Sequence, residues 1–127
     1  MKIFIESIPH AQHRYETCGD YWIDSDDTLQ IRVSELPDAR YMLLVAIHEL
    51  IEQVLCEQAG VTNEAIDAFD IAYEALREDG DESEPGDSSE APYYKQHQFA
   101  TGIERILAAE LHVDWCSYER TIESLSE

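Results

Sequence analysis

A chain of 127 residues, 44% hydrophobic and 9% aromatic, supplies one modest core and is too short for two independent domains. Its 28 acidic and 8 basic side chains give a formal charge of −20 and no Lys/Arg cluster to follow a phosphate backbone, which excludes ordinary nucleic-acid binding. The longest uncharged apolar run, Tyr41 to Ile47, is far below the roughly 20 residues of a membrane span; the acidic, proline-containing start lacks a signal-peptide shape, so a cytoplasmic protein without membrane contact is expected.

Three short β-rich runs open the chain: 2–8, 20–24 and 28–33. In the third, Leu29, Ile31 and Val33 alternate with Thr28, Gln30 and Arg32, the period of a strand with one buried face. Asp24-Ser25-Asp26-Asp27 has hairpin-turn chemistry, which makes the second and third runs antiparallel neighbours. A small N-terminal antiparallel sheet of about three strands is the expectation.

From Pro37 the apolar period becomes helical. A first helix is expected over 38–58, between Pro37-Asp38 and the stop at Gly60, and its centre from Tyr41 to Ile51 is apolar on nearly every side, the pattern of a buried axis. A second, over 62–77, is N-capped by Thr62 and puts Ile66, Phe69, Tyr73 and Leu76 on one face. Residues 78–90, EDGDESEPGDSSE, hold seven acids, two glycines, a proline and no base, the composition of a mobile solvated loop that connects rather than packs. A third helix over 93–111 and a fourth from the N-cap Asp114 to about 125 complete a single α+β domain spanning 1–127. Cys18, Cys56 and Cys116 form no Cys-x-x-Cys pair and read as free thiols, with Cys56 and Cys116 as small core residues.

The string His48-Glu49-Leu50-Ile51-Glu52 carries the chemistry. His48 and Glu52 are four apart, on one helical face, and two ligand-capable groups one turn apart reach one metal ion. They also interrupt an apolar helix, where an unpaired ionisable group costs several kcal/mol. The same pair can instead serve as a buried ionic tether between helices. In the third helix His97 and Glu104 fall within about 20° of each other on a 100° wheel, on the stripe that carries Ala100 and Ala108. Two helices each burying a His and a Glu point to one shared polar site. Asp70, at the edge of the second helix's apolar face, is the alternative to His97 as third ligand, and Asp67 is rotated further out. Glu104, two turns from His97, is placed behind the ligands, orienting one of them or pairing with an arginine. His10 and His13, three apart beside Pro9, read as an incidental loop pair.

On these residues the chain resembles the zincin-like metallohydrolases, in which a small sheet leads directly into the helix bearing H-E-x-x-H; here the strand 28–33 is followed by HELIE at 48–52, with Glu52 in place of the second His. HELIE, the AFD at 68–70, the EPGD at 84–87 and the stretch 91–104, APYY followed by His97 and Glu104, also make it similar to small proteins encoded in phage and prophage genomes, a likeness that brings no activity with it. The zincin resemblance implies His48 and Glu52 as ligands of a divalent ion, Zn²⁺ first with Mn²⁺ or Fe²⁺ as alternatives, and Glu49 as general base on a water at that ion. A metal-dependent hydrolase with an open substrate question is thus one expectation. The other, from the charge of −20, is a non-enzymatic acidic interaction protein that occupies a basic groove of a host protein in place of nucleic acid.

Overall fold

In the computed structural model, which describes residues 1–126, three strands precede four helices: β1 (Lys2–Ile8), β2 (Gly19–Ile23), β3 (Thr28–Ser34), α1 (Ala39–Ala59), α2 (Asn63–Ala75), α3 (Tyr94–Glu110) and α4 (Trp115–Ser124). Short 3₁₀ turns occupy His10–Gln12 and Pro85–Asp87. The fold is α+β, as the change of hydrophobic period after Pro37 implies.

The β2–β3 hairpin forms for the reason its turn sequence suggests. The Asp24 carboxylate accepts from the backbone N–H of Asp26 and Thr28, and Asp27 takes the left-handed conformation at φ 57°, which Asp tolerates better than most residues. The sheet is nevertheless mixed rather than antiparallel, with order β1-β3-β2: β2 runs antiparallel to β3, whereas β1 pairs parallel to it from Lys2↔Thr28 to Ile8↔Ser34. A parallel pair ordinarily needs a long crossover. Here β2 is itself the return leg, and the segment 9–18 only passes the end of β3, so alternation within single strands carries no trace of the arrangement.

Central strand β3 turns Leu29, Ile31 and Val33 into the core against α1. Edge strand β1 lies beyond the helices' cover and leaves Ile3, Phe4 and Ile5 exposed. On the opposite face of the sheet the guanidinium groups of Arg14 and Arg32 both lie over the Trp22 ring.

Helix α1 starts at Asp38, whose carboxylate accepts from the Arg40 N–H, and stops at Gly60, whose φ of 76° is the left-handed cap that glycine adopts without a Cβ penalty. It is not buried all round: Leu44, Val45, His48, Glu52 and Cys56 face inward while Leu43 and Val54 face solvent. Apolar residues on the outer side widen the sequence stripe beyond the face that packs. Thr62 and Asp114 cap α2 and α4, accepting from Ala65 N–H and Ser117 N–H. Two expected core positions lie outside the core: Leu76, just past the end of α2, is 82% exposed, and Cys116 is exposed on α4. Among the described residues all three cysteines are free, and no helix is long and apolar enough to cross a membrane. Helix α3 packs along α1, and this contact builds the polar site.

Candidate metal centre

His48 and Glu52 project from α1 and His97 from α3, all buried, and their donor atoms converge. His48 Nε2 lies 3.0 Å from Glu52 Oε2 and 3.1 Å from His97 Nδ1, and the third side, His97 Nδ1 to Glu52 Oε2, measures 2.9 Å. Ligand atoms at about 2.1 Å from a tetrahedral ion stand about 3.4 Å apart. This triangle stands at hydrogen-bond spacing, slightly tighter than one face of such a polyhedron, and would have to open a little to hold an ion.

The remaining polar atoms are held from behind. His48 Nδ1 donates to Glu104 Oε1 at 2.8 Å, the Tyr118 hydroxyl donates to Glu104 Oε2 at 2.5 Å, and the Tyr21 hydroxyl donates to Glu52 Oε1 at 2.9 Å. With its proton on Nδ1, the neutral His48 ring would turn the Nε2 lone pair toward the triangle, whereas the imidazolium would put a second proton there. Of the two partners expected for Glu104, a ligand candidate or an arginine, it bonds His48. The two tyrosines were not legible as partners, because nothing in their local sequence ties Tyr21 to α1 or Tyr118 to α3.

The electrostatics favour positive charge at the centre. Burial lowers the basicity of His48, but Glu104 and Glu52 outweigh it and raise the pKa to about 10. Burial likewise opposes protonation of His97, and the carboxylates of Asp87, Glu52 and Glu84 raise it to about 12. For Glu52, burial pushes upward and the two imidazoles overcome it, leaving the carboxyl at about 2. Such a site attracts either protons or a metal cation, and the two compete for the same lone pairs.

Glu49 lines the same cleft and makes no hydrogen bond or ion pair among the described residues. Burial, then the charge of Glu52, raises its pKa well above the usual carboxylate range. Its carboxylate fits because β2 begins with glycine: a Cβ on Gly19 would lie 2.6 Å from Glu49 Oε1.

The acidic segment 78–90 does more than connect. Its 3₁₀ turn lays Gly86 flat against the His97 ring, where a Cβ would sit 2.5 Å from two ring atoms, and brings Glu84 Oε2 and Asp87 Oδ1 each to 3.3 Å from His97 Nε2. The run's high charge concealed this packing. Its readable signal is Pro85-Gly86-Asp87, a preset φ followed by a residue that permits close approach. The segment, Glu49 and the triad border one open cleft of about 760 Å³.

Asp70 does not join the triad. Tyr15 OH donates to one of its oxygens at 3.1 Å and Tyr93 OH to the other, and the carboxylate does not converge with His48 and Glu52. Asp67 pairs with Arg14, which also forks onto buried Asp20. His10 and His13 both bond the Ser34 hydroxyl, His10 also pairs with Glu16 at 2.8 Å, and among the described residues neither joins a group that could hold an ion.

Burial raises the Asp70 carboxyl to about 6, against the pull of the Tyr93 and Tyr15 hydroxyls and with help from the charges of Glu52 and Asp67. The folded chain then keeps a proton that the unfolded chain releases, so this stabilisation is complete below the unfolded value of 3.8 and disappears as pH rises through about 6. Asp70→Asn should cancel that dependence, changing the stability difference between variant and parent by about 2 kcal/mol from pH 4 to pH 7 in the variant's favour. Urea midpoints of both proteins at the two pH values check it; parallel pH profiles would refute the assignment.

No family model, curated protein or solved structure matches this chain, so the reading of the site rests on its own geometry.

Proposed function

We propose that this chain is a small metal-dependent hydrolase acting on an amide or related bond. One observation carries the reading: three buried donor atoms, His48 Nε2, Glu52 Oε2 and His97 Nδ1, lie within 3.1 Å of one another beside the unpaired carboxylate of Glu49. Two imidazoles and one carboxylate are a donor set that catalytic zinc sites use, and Mn²⁺ or Fe²⁺ suits it as well. An ion there supplies Lewis-acid polarisation and acidifies a neighbouring water. Glu49 takes the water's proton and later passes it to the leaving group, while Glu104, Tyr118 and Tyr21 keep the ligands aligned. The cleft admits substrate from solvent.

A second reading is favoured by the raised basicity of both histidines: protons, rather than an ion, fill the triangle, and the network only ties α1 to α3. Elemental analysis of protein purified without a histidine tag separates the two. The parent should retain divalent metal through dialysis, and His48→Ala should retain one ion fewer per chain. Metal-free parent protein after reconstitution with Zn²⁺, Mn²⁺ and Fe²⁺, or equal contents in parent and variant, would leave only the ionic tether.

A further inference from the structure

His97 presents a donor atom on each edge of its ring. Nδ1 belongs to the triad, whereas Nε2 is buried, has no hydrogen-bond partner among the described residues, and faces Glu84 and Asp87. We propose that His97 Nε2, Glu84 and Asp87 form a second divalent-cation site, so that the His97 ring bridges two ions. The bridging part rests on the triad reading above.

The distances support a shared ion over a hydrogen bond. An imidazole N–H beside a carboxylate normally settles at about 2.7 to 2.9 Å. Here both contacts are 3.3 Å, with neither oxygen aligned as an acceptor for a residue that is only 6% exposed. Ligand atoms that share one ion at about 2.1 Å stand about 3.0 to 3.4 Å apart, depending on coordination number. All three candidate donors lie within 4.8 Å of one another. Asp87 Oδ1, the oxygen that faces the ring, also accepts from Gln98 at 3.2 Å, an exposed bond that an entering ion would share or displace.

The turn is built to hold the carboxylates there. Pro85 opens it with a fixed φ, and Gly86 lets the backbone lie on the ring with no side chain between. The Glu84 and Asp87 side chains are half exposed, so an ion enters from solvent without opening the fold. Imidazole with two carboxylates suits Zn²⁺, Mn²⁺ or Fe²⁺. On binding, the proton of His97 Nε2 passes to solvent, and the ring bridges as imidazolate. An ion at this position fastens the acidic segment to α3.

Titration of chelator-stripped, tag-free protein with Zn²⁺ against a colorimetric indicator tests the proposal. The parent should take up two ions per chain, and the Glu84→Gln/Asp87→Asn variant one. One ion in both proteins overturns the second site and leaves the triad standing; none in either overturns both. Two ions in the variant would place the second elsewhere and overturn the assignment. With Cu²⁺ as the probe, the electron paramagnetic resonance signal of the first equivalent should diminish as the second binds, through coupling across the ring. Two additive, uncoupled signals would overturn the bridge.

Discussion

Glu49→Gln should leave the ion content of the protein unchanged and its melting temperature unchanged or raised, since burial already disfavours the charged carboxylate, while reducing hydrolysis by roughly 10² to 10⁴. Gln has the shape of Glu and keeps one acceptor, so it fits the space beside Gly19 that the carboxylate occupies. What it cannot do is take a proton from water. The ligand set is untouched, because His48, Glu52 and His97 reach one another without help from Glu49. Three readouts on one variant therefore assign the role. Lost ion would make Glu49 a ligand, and unchanged turnover of a cleaved substrate would make it a bystander. A melting temperature lowered by many degrees would mean that the carboxylate has a structural partner.

Gly86→Ala should be strongly damaging for the addition of a single methyl group. Its Cβ would lie 2.5 Å from Cγ and Nδ1 of His97, and that ring cannot retreat, since it is packed between His48, Tyr93 and the Glu52 carboxylate. Either the turn lifts away or Nδ1 leaves the triangle. Overpacking of this kind costs about 1 to 3 kcal/mol, some 4 °C of melting temperature per kcal/mol for a domain of this size, and the displaced ligand should take the ion with it. Gly102→Ala is the matched control. That glycine sits in α3 with nothing within 4 Å of a built Cβ, so alanine there should stabilise by roughly 0.5 to 1 kcal/mol through helix propensity. Equal melting temperatures for the two variants would show that the turn does not pack on His97 in solution.

What the sequence determined by itself is everything set by neighbours along the chain. The period of two in 28–33 and the caps at Asp38, Thr62 and Asp114 depend on residues within a few positions, and so does the pairing of His48 with Glu52 across one helical turn. The coincidence of His97 and Glu104 on the apolar stripe of α3 extended this to the second wall of the site, because a buried polar group needs a partner wherever it lies.

What only the tertiary structure decided is which distant groups meet. Whether His97 or Asp70 completes the triad turns on the packing of α3 along α1 and on the hydroxyls of Tyr15 and Tyr93, which occupy Asp70 first. The parallel register of β1 follows from β2 acting as the return leg, a feature of chain path rather than of residue pattern. The acidic segment is the clearest case. Its composition describes a solvated connection, and one Pro-Gly step placed against an imidazole ring converts two of its carboxylates into neighbours of the site. Close approach is a property of two surfaces, and a one-dimensional pattern records only one of them.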